Sequence, residues 1–301
     1  MMARPTRADV LRALLSRVRY EVLPTAGVVD EVCAGLPSGA TVTVTASPSK
    51  GLDATLQVAE RLAELRYDVV PHLAARMIDG PGRLAEITSR LHSAGITKVF
   101  VPGGDADPAG AYDCALQVLA ELTRTGHPFT EIGIAGYPES HPAINDDLTI
   151  QAMWDKRSHA TLLVSNLTFD PHLLASWVRR VRTRGVQLPI LVGLPGPVER
   201  ARLLRMAPKI GVGESARFLA KNGGLFARIA APGGYDPLRL LGRAAPTLGR
   251  EDMHIAGLHL FTFNQIAETE TWRVAQLERL DGGRGHLVAR PVTRAQEWGV
   301  R

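Results

Sequence analysis

Short, nearly unbroken apolar runs alternate with longer amphipathic runs along most of the chain. Runs such as Val99-Phe100-Val101 and Leu162-Leu163-Val164 have the texture of parallel strands buried on both faces, where neither side needs polar residues. The pattern predicts strands over residues 19–23, 41–45, 68–73, 97–102, 131–136, 160–166, 188–193 and 255–261. Between them apolar residues recur at three- and four-residue spacing, as Leu56, Ala59, Leu62 and Leu65 do within 52–65. The same periodicity predicts helices over 82–93, 109–124, 171–184 and 197–206. Eight strand–helix units imply an α/β fold, a (β/α)8 TIM barrel with an extra N-terminal helix. Residues 206–253 form an elaborated region before the last strand. A doubly wound open sheet is the alternative topology. The predicted organisation is one barrel over 1–282 and a C-terminal extension containing Arg and Gly over 283–301.

Composition narrows the function. With 45% hydrophobic residues the chain can fill a large core, and aromatic residues at 5% are too scarce for a base-stacking surface. The net charge of +5 is spread thinly, partly over Arg284, Arg290, Arg294 and Arg301, and makes no dense basic stripe. Nucleic acid is therefore not an expected partner. Cys33 and Cys114, the two cysteines, fall in helical apolar patterns and read as small core residues, with no disulfide framework or zinc spacing. No apolar run approaches the ~20 residues that span a bilayer, and the polar start lacks a signal-peptide core. The expectation is a cytoplasmic protein with small-molecule partners and no membrane, and with no feature that sets an oligomeric state.

In such a barrel the active site lies at the C-terminal ends of the strands. Glu21, Thr45 and His72 mark the ends of the first three. The fourth strand runs into Gly103-Gly104-Asp105, the fifth into Tyr137-Pro138-Glu139-Ser140-His141-Pro142, and the sixth into Ser165-Asn166. The eighth carries His259, Thr262 and Asn264. Glu21 is an acid inside an apolar strand, where burial favours the neutral, proton-donating form; an ion pair with Arg19 or Arg76 is the alternative. Asp105 follows two glycines, as a turn residue would, yet its carboxylate could also face a developing cation. His72 and His141, with Asp105 or Glu139, could suggest a metal set, but no metal-binding spacing supports it and no metal is assigned. Gly211-Val212-Gly213-Glu214-Ser215-Ala216 has the outline of a dinucleotide fingerprint without the strand before it, and reads as a turn into a helix.

These rim residues resemble the methylenetetrahydrofolate reductases. Tyr20-Glu21-Val22-Leu23-Pro24, Val44-Thr45, Pro71-His72-Leu73 and Gly103-Gly104-Asp105 are similar to the family's first four strand ends. Ala135-Gly136-Tyr137-Pro138-Glu139-Ser140-His141-Pro142 is the most specific likeness. The run 188–195 looks like the seventh strand, and His259-Leu260-Phe261-Thr262-Phe263-Asn264 like the last. The resemblance implies a (β/α)8 oxidoreductase of one-carbon metabolism and methionine biosynthesis. Such an enzyme reduces 5,10-methylenetetrahydrofolate to 5-methyltetrahydrofolate with NADH, NADPH being the alternative donor. It makes Glu21 and Asp105 the catalytic pair, with Glu21 opening the methylene bridge as general acid and Asp105 favouring the cation so formed. Asn166, Asp105, Phe261 and Asn264 would bind substrate; Thr45, His72, Gly104, Tyr137, His141 and Lys156 would bind cofactor.

The departures concern flavin. The family's arginine before Gly-Asp is Gly103 here, its Gly-rich second loop is Ala46-Ser47-Pro48-Ser49-Lys50-Gly51, and an acid expected before Lys156 is Thr149. They weigh against tightly bound FAD and point to direct hydride transfer from NADH. A non-catalytic or catalytically weak folate-binding regulatory barrel is the competing reading.

Overall fold

The computed structural model describes residues 5–139, 146–197 and 236–285. His141, nearly all of the helix predicted over 197–206, the Gly211–Ala216 turn and everything after residue 285 lie outside the described residues. All eight predicted strands form: β1 (Val18–Val22), β2 (Thr41–Val44), β3 (Asp68–Pro71), β4 (Lys98–Phe100), β5 (Glu131–Gly136), β6 (Leu162–Ser165), β7 (Ile190–Pro195) and β8 (Ile255–Phe261). They make one parallel sheet in the order β3-β2-β1-β8-β7-β6-β5-β4. Its two edges meet through a parallel bridge between His72 and Phe100, where the Leu73 amide donates to the Phe100 carbonyl at 2.8 Å. The sheet is thus closed into a barrel, and the open-sheet alternative is excluded.

Helices α1 (Arg7–Leu15), α2 (Val28–Gly35), α3 (Leu52–Glu64), α4 (Pro81–Ser93), α5 (Ala115–Thr125), α6 (Asp146–Lys156), α7 (Pro171–Thr183), α8 (Pro237–Leu248) and α9 (Ile266–Gly285) are described around it. The N-terminal helix starts on a reciprocal cap, Thr6 and Asp9 each accepting from the other's backbone amide. Helices α7 and α8 open alike, with Asp170 and Asp236 as caps and proline at the first helical position. Among the described residues no helix is long and apolar enough to cross a membrane.

Two expectations need correction. The helix foreseen from residue 109 begins at Ala115, because the preceding segment is tied instead to the loop after β3. There the Gly110 and Ala111 amides donate to the Arg76 and Ile78 carbonyls. Cys33 and Cys114 are exposed rather than core residues: Cys33 lies on an open face of α2 and Cys114 caps α5. Asp281, inside the barrel's predicted span, lies in α9 and accepts from Arg12 Nε at 2.7 Å.

The core has two compartments. Most of it fills the ring between sheet and helices, where Val42, Val44, Leu56, Ile87, Leu119, Ile134, Trp177, Leu258 and Leu260 are buried. The lumen holds a smaller cluster, Leu162, Val164 and Leu191 with Phe100 and Ala256. Below it the inward residues are ionic. Arg19 Nη2 donates to Glu131 Oε2 at 2.7 Å, linking β1 to β5 four strands away and so bridging the barrel diameter. Lys98 Nζ lies 2.6 Å from Asp68 Oδ2, which also accepts from Thr41. Removing one partner of the diametric pair strands a charge in the lumen. Glu131→Gln is expected to cost about 3 kcal/mol, and pairing it with Arg19→Met to recover much of that. Urea unfolding of the single and double variants measures both.

Candidate active site

Alternation along β1 sends Tyr20 and Val22 outward into the ring of helices and Glu21 into the barrel mouth. Tyr20, facing outward, is hydrogen-bonded to Glu270 of α9, and Arg273 pairs with the same carboxylate. The Glu21 carbonyl accepts from the Thr262 hydroxyl at 2.7 Å, lacing the end of β1 to the end of β8. Its carboxyl Oε2 lies 2.9 Å from Nε2 of His259 on β8 and 3.7 Å from Nε2 of His72 after β3. Neither foreseen arginine is its partner, since Arg19 is held by Glu131 and Arg76 Nε donates to the Ala106 carbonyl at 2.8 Å. The His72 ring stands 4.6 Å from Phe100, and His259 meets Phe261 edge-on at 4.9 Å. A carboxyl, two imidazoles and two phenyl rings thus converge where β1, β3, β4 and β8 end. Beside them Thr43 and Thr45 carry buried hydroxyls with no hydrogen-bond partner.

Burial, reinforced by nearby His259 and opposed by Glu21, holds His72 down to about 4, so this imidazole is neutral at pH 7. The folded value lies below the ordinary 6.5. As pH falls from about 6.5 to about 4, the unfolded chain therefore binds a proton that the folded chain refuses. Stability contributed by neutral His72 is full above that window and is lost across it. The urea midpoint should drop over this range, and drop less in His72→Gln.

The other foreseen residues occupy different settings. Gly104 has φ +84°, and a Cβ there would come within 2.9 Å of the Ala74 Cβ; this bend presents Asp105, exposed, on the rim. Asn166 is half-buried at the top of β6, its Oδ1 accepting from the Leu167 amide at 2.7 Å. Phe261 is half-buried at the end of β8. Asn264 binds the chain after β1, accepting from the Leu23 amide at 2.8 Å and donating to the Leu23 carbonyl and the Thr25 hydroxyl. These bonds hold that loop to the end of β8. Tyr137 is half-buried at the end of β5. Lys156 closes α6, its ammonium pushed down by burial with Cys114 and Asp155 opposing.

Two rim residues have partners that the sequence does not foresee. His259 is Glu21's nearest partner; the available signal was its alternation in phase with Phe261, and the register that sets it against Arg19 comes from the fold. Glu139 accepts from the Thr168 hydroxyl and the Phe169 and Asp170 amides, so it ties the β5 loop to the start of α7. Among the described residues no group of three His, Cys, Asp or Glu side chains could hold a metal ion.

The model of the family described as methylenetetrahydrofolate reductase matches residues 26–213, more than half of the chain. Methylenetetrahydrofolate reductase (NADH) 1 of Zea mays is 25% identical over 186 residues, covering 55% of this chain and 31% of that protein. The probable methylenetetrahydrofolate reductase (NADH) of Oryza sativa subsp. japonica is 24% identical over 164 residues, 47% of this chain and 27% of its own. Methylenetetrahydrofolate reductase (NADH) 1 of Arabidopsis thaliana is 24% identical over 175 residues, covering 52% and 29%. The match to this chain thus spans less than a third of the length of each of these relatives. Glu21 and His259 fall outside the stretch matched by the family model, and their juxtaposition rests on the geometry of the barrel. The chain belongs to the methylenetetrahydrofolate reductase family.

Proposed function

We propose that this barrel reduces 5,10-methylenetetrahydrofolate to 5-methyltetrahydrofolate, with NADH as the hydride donor. The enclosed Glu21 carboxyl, between two imidazoles at the mouth of a barrel of this family, carries the reading. The reaction consumes one proton and one hydride per turnover, so it needs a positioned acid. Glu21 gives its proton to N10 of the folate, and the bond from N10 to the bridging carbon breaks with its electron pair going to N10. The methylene group then remains on N5 as an iminium. Asp105, on the rim, favours that cation. Asn166 and Phe261 bound the space for the pterin, while Asn264 acts by fixing the chain after β1. The nicotinamide, when bound, supplies the hydride that converts the iminium carbon to a methyl group. Glu21, left ionised, regains a proton from water before the next cycle.

The residues that would hold a resident flavin suit one poorly. His72 is buried with its Nε2 turned toward Glu21, and Gly103 offers no cationic side chain beside Gly104. No step is routed through flavin in this reading. The maize, rice and Arabidopsis relatives carry NADH in their names, which supports the choice of donor. The enzyme would work in the cytoplasm and feed methyl groups to methionine biosynthesis.

The purified protein is expected to lack flavin absorbance and to oxidise NADH with methylenetetrahydrofolate without added FAD. Activity that appears only with FAD overturns direct transfer. Folate binding with no turnover under either condition replaces the enzyme with a folate-binding regulatory barrel.

A further inference from the structure

The carboxyl of Glu21 has two oxygens, and among the described residues both of its imidazole neighbours approach Oε2. The closer of the two imidazoles, His259, is 3% exposed, and its second nitrogen, Nδ1, is buried with no hydrogen-bond partner. A neutral imidazole carries its single N–H on one nitrogen or the other. A proton on Nδ1 would bury a donor with nothing to receive it. It would also turn a bare Nε2 lone pair toward Oε2. A proton on Nε2 faces an acceptor at 2.9 Å and leaves on Nδ1 only a lone pair.

We infer that His259 is a positioning residue for the acid: as the Nε2–H tautomer it donates to Oε2 of Glu21 and so keeps the transferable proton on Oε1. This inference rests on the proposed reductase activity, in which Glu21 must present a proton to N10. Holding Oε2 has two effects. It fixes the plane of the carboxyl, and it leaves Oε1 as the oxygen from which the proton departs.

The charged neighbourhood is compatible with this assignment. From β1, Arg19 is paired across the lumen with Glu131 of β5, and from β3, Asp68 is paired with Lys98 of β4. His72 also comes from the end of β3, and burial keeps it neutral. The inward residues of β2, β6 and β7 here are Thr43, Leu162, Val164 and Leu191, which carry no charge. Asp105 and Tyr137 stand on the rim loops above. His259 is therefore the one side chain within hydrogen-bonding distance of the Glu21 carboxyl among the described residues.

Two replacements and one spectrum test the inference. His259→Phe keeps a ring and removes the donor. Its kcat should fall about 10- to 100-fold, the worth of one hydrogen bond to a carboxyl that becomes charged as its proton leaves, with little change in the folate KM. His259→Gln, which restores an N–H donor, should recover most of kcat. Unchanged kcat in His259→Phe, or an equal loss in both variants, overturns the inference. The tautomer is read without any activity, from the nitrogen-15 shifts of His259 in the folded protein, assigned by their loss in His259→Gln. A protonated Nε2 supports the assignment, and a bare Nε2 with protonated Nδ1 overturns it. A wild-type protein that does not turn over sinks the reductase reading separately, whatever the tautomer.

Discussion

Glu21→Gln is expected to lower kcat by about 10²- to 10⁴-fold while leaving folate affinity within a few-fold of wild type. Glutamine preserves the shape of the side chain, and its carbonyl can still accept from His259 Nε2 across the 2.9 Å now spanned by Oε2. What it lacks is a transferable proton. The variant thus separates the acid's chemistry from its packing, which substitution by alanine would confound by opening a hole between His72 and His259. Equilibrium titration with folate, followed by single-turnover reduction, measures the two quantities. Full turnover in Glu21→Gln would remove this residue as the acid. Weakened binding with intact turnover would make it a substrate contact.

The second large effect is on stability. Trp177→Ala is expected to cost about 3–5 kcal/mol and, at a few degrees per kcal/mol, to lower Tm by on the order of 10 °C. Trp177 is 1% exposed on α7, and its indole lies directly on the backbone of Gly136 at the end of β5. A Cβ at Gly136 would approach the indole to 2.5 Å and the Met153 sulfur of α6 to 3.3 Å. The glycine therefore makes room for the largest side chain of the outer core, and α6, α7 and β5 meet there with no slack. Near-ultraviolet circular dichroism on heating follows the loss. A cost under about 1 kcal/mol would mean that the site collapses around the missing ring. The chain leads from Gly136 into Tyr137, Pro138 and Glu139, so loosening this contact should also release the strap that Glu139 makes to the start of α7.

Strand positions were legible because a parallel barrel buries both faces of each strand, and continuous apolar runs report that directly. The 3-to-4 periodicity found α3, α4 and α7 for the same reason. It failed at the front of α5, where backbone hydrogen bonds to the β3 loop compete with the helix, and at α2, an eight-residue helix too short to show a period. Both cysteines sat in apolar surroundings along the chain yet emerged at the surface, since a local pattern does not say where one turn of helix lies against the barrel. The rim residues could be named from strand ends, but not their partners. Glu21 and His259 are 238 positions apart, and only closure of the sheet between β8 and β1 brings them together. Asn264 shows the same limit: its place at a strand end suggests a substrate contact, but not the bonds its amide makes to Leu23 and Thr25.

The Arg19–Glu131 strut carries a consequence for the order of events. With that pair, Lys98 and Asp68 packed beneath Phe100, Leu162 and Leu191, the barrel is plugged from below. In the proposed reaction the proton that recharges Glu21 would then come in over the same rim as folate, and recovery of the acid would follow product departure.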